Sequence, residues 1–235
     1  MKKIVKFCLC IVGMLACVYL IYNHYEYQVV ENQDKLPFER DGKSAEQINN
    51  LKQEYNNNEI IMYIEIPYAL TIPVVQTENN EFYLNHDIYR KESSLGAVFL
   101  DYRNKSLNDR KLIIYGYNKL DKALPLSKLL DYKNEEFFKK HQNINVYTAT
   151  GQKTYKIFSV YTESEDFDYV NLNGYSGLGY YEHLLKLKEK SLYDTGVGVD
   201  ENSKIIIIET CALESGCSEK PVYHLVMGVE INPQP

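Results

Sequence analysis

The stretch Ile205-Ile206-Ile207-Ile208-Glu209-Thr210-Cys211 most clearly predicts the fold, because four successive isoleucines favour a β-strand. This strand-like run ends in a cysteine. A thiol becomes a useful nucleophile as the thiolate, and a thiolate at neutral pH usually needs a nearby cation or base. The stretch therefore predicts a β-rich core and makes Cys211 the first candidate for a reactive residue.

Short segments rich in β-branched and aromatic residues alternate with turns along the rest of the chain. With the isoleucine run, the predicted strands are Ile60–Ile66, Ile72–Gln76, Ala97–Asp101, Leu112–Tyr115, Ile144–Thr148, Thr154–Tyr161, Lys204–Thr210 and Val222–Ile231. Eight strands indicate a barrel or a sandwich. We therefore predict one mainly β domain.

Two helices are predicted beside these strands. The sequence Ser44-Ala45-Glu46-Gln47 has the form of a capping box, and apolar residues follow it at helical spacing, so an amphipathic helix should open the domain. An insertion of some forty residues, 163–203, separates the sixth and seventh strands, and Tyr180–Ser191 has the composition of a helix. A connection of this length is often functional.

The N-terminus predicts a membrane anchor. Three lysines precede an apolar run, Phe7–Tyr22, that is about long enough to cross a bilayer, and the positive-inside rule then places the rest of the chain outside the cell. The alternative is a cleaved signal peptide, but the end of the run lacks the small residues of a cleavage site. The predicted organisation is residues 1–6 in the cytoplasm, 7–22 across the membrane, 23–43 as a stalk and 44–235 as the folded domain.

Charge and cysteine content exclude several classes of function. Three lysines and one glutamate lie within residues 1–28, so the rest of the chain has a net charge of −8, and nucleic acid is not an expected partner. Cys8, Cys10 and Cys17 lie in the apolar run, which leaves Cys211 and Cys217 in the domain. Their spacing permits a local disulfide, while a metal site would need more ligands than this region offers. We predict no metal and no cofactor.

Several separated segments resemble the class B sortases, which are membrane-anchored cysteine transpeptidases of Gram-positive bacteria. The segments are FYLNHD (82–87), GAVFLDYRN (96–104), IIYGYN (113–118), KSLYDTGVGV (190–199) and IIIIETC (205–211), in the order and approximate spacing of that family. The resemblance covers roughly residues 44–231. It implies an eight-stranded sortase-type β-barrel with an N-terminal helix and a helical insertion before the seventh strand, which agrees with the periodicity.

The resemblance also implies a chemistry. Class B sortases cut a C-terminal sorting signal after a threonine, hold the acyl group on a cysteine, and pass it to an amine of the cell wall or of another pilin. A histidine serves as acid and base, and an arginine holds the substrate and steadies the oxyanion. Cys211 matches the nucleophile, whereas Tyr117 stands at the histidine position and Tyr223, five residues before Gly228, stands at the arginine position.

These replacements predict very low transpeptidase activity. Tyrosine is neutral up to about pH 10, so neither residue supplies the positive charge that would stabilise a thiolate. Glu209 and Glu214 flank Cys211 and disfavour the thiolate further. Loss of general acid and base help costs a factor of about 100 to 10,000 in rate.

The substrate groove is better preserved in the resemblance. Asn80 and Leu84 match residues that line the groove for the sorting signal, Tyr115 precedes the catalytic position, and Thr210 forms the floor with Cys211. Each also has an ordinary explanation, as a turn residue, core filler or strand packing. We take the four as candidate substrate-binding residues.

Other histidines are weaker candidates for the missing base. His224 would meet Cys211 only if the seventh and eighth strands paired one residue out of register; otherwise it lies on the other face of the barrel. His86 could reach the site from a loop. His183 on the insertion helix and His141 near the end of a short helix are expected to be exposed, and His24 belongs to the stalk.

Three functions follow from these observations. The first is a working sortase with a rearranged base, and the second is a pseudo-sortase that binds a pilin or surface-protein tail, or scaffolds an active sortase in pilus assembly. The third is an unrelated structural role for the barrel. The expected partners are a sorting-signal peptide, the cytoplasmic membrane and an active sortase.

Overall fold

The computed structural model describes residues 15–21, 44–118, 124–172, 174–212 and 221–231. Eight strands close into a barrel in the order β1-β2-β3-β4-β7-β8-β6-β5, which decides between the barrel and the sandwich. The strands are β1 Ile60–Ile66, β2 Leu70–Val75, β3 Phe99–Leu100, β4 Lys111–Tyr115, β5 Asn143–Thr148, β6 Gly151–Glu163, β7 Ile205–Cys211 and β8 Tyr223–Ile231. Neighbours are antiparallel except for the parallel pairs β2–β3 and β4–β7.

The four isoleucines of β7 are buried on both faces of the sheet. Ile206 and Ile208 point into the barrel, whereas Ile205 and Ile207 point outward into a second apolar cluster beneath the insertion. Side chains of a strand alternate between its faces, so both faces must be covered for such a run to be buried. Glu209 and Cys211 continue the outward-facing set, and Thr210 continues the inward-facing set.

Two helical segments cover the barrel. The sequence predicts the first of them. Helix α1, Ser44–Glu54, buries Ile48 and Leu51 against the outer side of the barrel, with Tyr55 just beyond its end, as the helical spacing predicts. A 3₁₀ helix, Pro125–Lys133, inserts Leu126, Leu129 and Tyr132 into the interior core and leads into helix α2, Glu135–Lys140.

The insertion between β6 and β7 contains the expected helix, α3, Gly177–Glu189, which begins three residues earlier than the composition indicates. It buries Tyr180, Leu184 and Leu187 against the outer faces of the central strands. His183 of the same helix is 2% exposed, so the expectation that it is solvated is wrong. Its position is fixed by a buried charge on β4.

That charge is Lys111, whose ammonium group donates to the backbone carbonyls of Tyr169 (3.1 Å) and Asn171 (2.7 Å) and contacts Nε2 of His183 (2.9 Å). The other ring nitrogen of His183 lies 3.3 Å from Asp168. Burial, together with Lys111, lowers the pKa of His183 to about 4, so the ring is neutral at pH 7 and can accept from the ammonium group. This cluster ties the insertion to the barrel.

The predicted membrane span cannot be followed through this structure. The part of the chain that the structure describes contains no helix long and apolar enough to cross a bilayer. Residues 15–21 of the predicted span are helical and exposed. Outside the described residues lie the rest of the span, the predicted cytoplasmic residues 1–6 and the predicted stalk at 23–43.

Candidate active site

A pocket of about 350 Å³ opens on the outer face of the barrel, where the parallel strands β4 and β7 end. All seven residues that the sequence nominates contribute to its wall: Asn80, Leu84, Tyr115, Tyr117, Thr210, Cys211 and Tyr223. Phe99, Gly116 and Glu209 complete the lining. The fold thus gathers residues that are up to 143 positions apart, from Asn80 to Tyr223, into one site.

Cys211 lies at the end of β7, directly opposite Tyr223 on β8. It is 4% exposed, and its carbonyl accepts a hydrogen bond from the side-chain amide of Asn118. Its sulfur is in a disulfide bond. The described cysteine Cys17 is free, and Cys217, the partner that the sequence spacing permits, lies outside the described residues. A thiolate can form at Cys211 only after this bond is reduced.

Tyr117 and Tyr223 bring two neutral hydroxyl groups to the pocket. Burial raises the pKa of both phenols, and for Tyr223 the carboxyl group of Glu209 and the phenol of Tyr117 add to the effect. The lining, drawn from the described residues, contains no lysine, arginine or histidine. The described part of the pocket therefore offers Cys211 no positive charge and no base of the imidazole type.

Tyr115 is anchored by an ion pair outside the pocket. Its hydroxyl donates to Asp101 (2.9 Å), which also accepts two side-chain hydrogen bonds from Arg103 (2.9 and 2.6 Å). Burial alone would raise the pKa of Asp101, but the bonds from Arg103 and Tyr115 outweigh it and hold the pKa below its usual value. This ion-paired turn fixes one wall of the pocket.

No family model matches the chain. Among curated proteins, sortase B of Listeria monocytogenes is 25% identical over 202 residues, covering 83% of this chain and 81% of the relative. Sortase B of Staphylococcus aureus is 26% identical over 218 residues, covering 86% and 89%. The solved Staphylococcus aureus sortase B–substrate complex superposes with a TM-score of 0.73 at 27% identity, over 81% of this chain and 87% of that one. In sequence and in fold, the chain is similar to the class B sortases.

Gly116 lies between Tyr115 and Tyr117 because the backbone there has no room for a side chain. A Cβ at Gly116 would lie 2.6 Å from Leu126 and 2.9 Å from Val98. Gly96 has a φ of +63°, and a Cβ there would come within 3.2 Å of the Tyr117 ring. Both glycines let the backbone pass close to the pocket, which sets the position of Tyr117.

Glu209 lines the pocket, although the sequence indicates only that its charge is close to Cys211. It is 8% exposed, and its Oε2 atom has no hydrogen-bond partner among the described residues. Burial, reinforced by the nearby Asp101, raises its pKa to about 7 against the opposing effect of a hydrogen bond from Tyr169. One signal was present: Glu209 is two residues from Cys211 in a strand, so the two side chains share a face.

The described histidines do not supply the missing base. The register pairs Thr210 with His224 and Cys211 with Tyr223, so the one-residue slip that would bring His224 to Cys211 is absent. His224 is fully buried on the opposite face, and burial, with a smaller contribution from Lys133, lowers its pKa to about 4. Because Thr210 shares that inward face, it reaches the pocket through its backbone.

The remaining histidines lie elsewhere. His86 stacks on Phe82 with ring centroids 4.0 Å apart and does not line the pocket. His141 is half-buried, with Nδ1 2.9 Å from the Pro67 carbonyl, so the expectation that it is exposed is wrong. Among the described residues, no histidine is positioned to accept a proton from Cys211.

Proposed function

We propose that the protein binds the C-terminal sorting signal of a surface protein or pilin in the Cys211 pocket, with very low transpeptidase turnover. One observation carries this proposal: the pocket contains every nominated groove residue, yet its described lining has no cation and no histidine. A relative of known structure, the Staphylococcus aureus sortase B, has been solved in complex with its substrate, which supports a peptide as the ligand.

The chemistry explains why binding and turnover separate. Attack on the threonine carbonyl needs a thiolate, a proton for the leaving amine, and positive charge or donors at the oxyanion. Tyr117 and Tyr223 can donate hydrogen bonds but remain neutral, and the sulfur of Cys211 must first leave its disulfide. Each absent catalytic group lowers the rate by a factor of about 100 to 10,000, whereas all the candidate groove residues are present in the pocket wall.

The cellular setting of this proposal is the outer side of the cytoplasmic membrane. The three lysines before Phe7–Tyr22 support a cytoplasmic N-terminus, with residues 44–235 facing the cell wall. In that position the domain could hold a pilin or surface-protein tail for an active sortase that supplies the missing chemistry. Protease added to wall-stripped cells should digest the domain, and complete protection would refute this topology.

The function is tested by restoring the missing groups. Tyr117→His together with Tyr223→Arg places a base and a cation on either side of Cys211. We expect the reduced full-length double variant, in detergent micelles, to cleave a fluorogenic sorting-signal peptide about 100-fold or more faster than the parent. Each single variant should gain little, because the catalytic groups act as a unit.

Two controls accompany this assay. Adding Cys211→Ala to the double variant should abolish the gain, which ties cleavage to the thiol. Peptide binding to the parent, followed by fluorescence anisotropy, tests the pocket separately from the chemistry. The proposal is wrong if the parent already cleaves as fast as the double variant, or if no peptide from a panel of sorting signals binds the folded parent.

A further inference from the structure

Glu209 is a buried acid in the wall of the Cys211 pocket. The residue is 8% exposed, and in the described lining neither a basic residue nor another acid accompanies it. Tyr169 donates a hydrogen bond to the carboxyl group, while the Oε2 atom has no hydrogen-bond partner among the described residues. The carboxyl group is therefore held in place and keeps one oxygen atom for a reacting group.

The strand places this carboxyl group close to the thiol. Glu209 and Cys211 are separated by one residue of β7, so their side chains leave the strand on the same face, and both line the pocket. Two residues of an extended strand span about 7 Å. A glutamate side chain reaches a thiol at that separation, directly or through one water molecule, which is the geometry that proton transfer requires.

A proton that moves between these two groups creates no new charge. An ionised carboxylate disfavours a second negative charge beside it, so Glu209 opposes the loss of the thiol proton to water. When the same proton moves from sulfur to the carboxylate, one negative charge disappears as the other forms. This step therefore needs no cation, in agreement with the described lining, which contains none.

The groups around Glu209 give it a proton affinity that suits acid–base chemistry. Four tyrosines interact with it electrostatically from neighbouring elements, and their raised pKa values keep them neutral at pH 5 to 9: Tyr115, Tyr161, Tyr169 and Tyr223. Asp101, the remaining neighbour, is ion-paired with Arg103. Burial, reinforced by Asp101, raises the pKa of Glu209 to about 7, and an acid–base residue works best when its pKa is close to the working pH.

We propose that Glu209 is the acid–base residue of Cys211, taking the thiol proton during attack and giving it to the leaving amine. The proposal rests on the proposed function and assigns to Glu209 the low turnover that remains. In acylation, the reduced sulfur bonds to the scissile carbonyl carbon as its proton moves to Glu209, and the C–N bond breaks as Glu209 protonates the nitrogen. In deacylation, Glu209 takes a proton from the attacking amine or water and returns it to the sulfur, so both groups regain their starting states.

The shared proton predicts a bell-shaped pH profile. The active state holds one proton on the thiol–carboxyl pair, so the rate should rise as Glu209 ionises around pH 7 and fall as the pair loses its last proton. An ordinary thiol titrates near pH 8.5, so kcat/KM for an amide should peak at about pH 8. Glu209→Gln has no proton acceptor at this position, and its residual rate should keep rising toward pH 9.

The test compares two leaving groups on the full-length protein in detergent micelles, reduced with a phosphine. A fluorogenic sorting-signal peptide needs a proton on its leaving amine, whereas the matched peptide aryl thioester releases a stable thiolate and needs none. Glu209→Gln should lower kcat for the amide by about tenfold or more and leave acyl transfer from the thioester unchanged or faster. Rates of Cys211→Ala are subtracted, so that other thiols do not contribute.

Two further variants assign the effect to the carboxylate. Glu209→Asp keeps the acid on a shorter side chain and should retain part of the amide activity with a bell-shaped profile. Glu201→Gln, on an exposed loop, removes one negative charge elsewhere and should change neither substrate. Thermal unfolding checks that each variant is folded. If Glu209→Gln does not fold, the parent profile decides: a bell whose lower limb moves in Glu209→Asp supports the proposal, and a steady rise through pH 9 overturns it.

The outcomes separate this proposal from the peptide-binding function. The role of Glu209 is overturned if a folded Glu209→Gln variant loses amide and thioester activity equally, or if its amide rate is not lowered. Parent cleavage no faster than that of Cys211→Ala also overturns it. Fluorescence anisotropy measures peptide binding separately, so a parent that binds peptide without cleaving it refutes only the role of Glu209. Failure of every sorting-signal peptide to bind refutes the peptide function.

Discussion

Lys111 and Glu209 are both buried ionisable residues on the parallel pair β4–β7. They differ in how far hydrogen-bond partners compensate the charge of the side chain. Lys111, at the start of β4, places its three N–H groups against two carbonyls and an imidazole. Glu209, near the end of β7, leaves Oε2 without a partner among the described residues. The Lys111 charge holds the insertion on the barrel, and the Glu209 carboxyl group lies in the wall of the pocket.

The contacts of the Lys111 ammonium group continue through His183 to Asp168. The network assigns the proton of neutral His183 to Nδ1, which faces Asp168, and leaves Nε2 to accept from Lys111. Tyr175 stacks on the His183 ring and donates to Asp168 from its hydroxyl. Burial lowers the pKa of Lys111 to about 8, so the ammonium group remains mostly charged at pH 7.

Removing the compensated charge should have the largest effect on stability. Lys111→Met preserves the length of the side chain but leaves two buried carbonyls and an imidazole nitrogen without donors. We expect a loss of about 3–5 kcal/mol in the free energy of unfolding, measured by urea denaturation. Lys204→Met, just before β7, is the matched control and should cost little. Equal losses in the two variants would show that the Lys111 network does not hold the insertion.

Removing the uncompensated charge should instead stabilise the protein. The pKa of Glu209 is about 7 in the folded state against 4.5 without burial, so the folded state binds more protons between these values and stability falls as pH rises through that window. Glu209→Gln should therefore gain up to about 3 kcal/mol at pH 8 and nothing at pH 4. A difference that stays constant from pH 4 to pH 8 would contradict the assigned burial of this charge.

The smallest of these effects concerns the thiol. In Cys217→Ser, the Cys211 thiol should react slowly with neutral methyl methanethiosulfonate at pH 7 and faster toward pH 9, because no described cation lines the pocket. Adding Glu209→Gln removes a nearby negative charge and should raise the rate at pH 8 by about three- to tenfold. Rapid labelling at pH 6 would reveal a hidden cation, and an unchanged rate would place Glu209 too far away to matter.

The sequence predicted the positions of the strands, because local patterns of residues encode them. β-Branched runs located all eight strands, and β1 agrees to the residue, while polar residues at both ends hid the full length of β6. The resemblance nominated seven residues that line one pocket. It could do so because segments that match a family in sequence also take the family's arrangement in space. Their catalytic and binding roles remain predictions.

What the sequence could not predict depends on contacts between distant residues. Lys111 and His183 are 72 positions apart, and a single charged residue in a strand or on a helix has the same local pattern whether it is exposed or buried. For this reason His183 was expected to be solvated. The sequence shows Glu209 only as a negative charge close to Cys211. That its Oε2 atom has no hydrogen-bond partner among the described residues depends on the surrounding strands β4, β6 and β8.

The position of β8 in the barrel has a consequence for biosynthesis. Although it is the last strand in the chain, β8 lies between β6 and β7 and carries Tyr223 into the pocket. The pocket also needs the parallel pairing of β4 with β7, which closes a loop of roughly ninety residues, and long-range pairings of this kind form slowly. A chain that is still being synthesised therefore has no pocket. A cell that degrades unfinished chains is therefore not left with a partial form that contains the pocket.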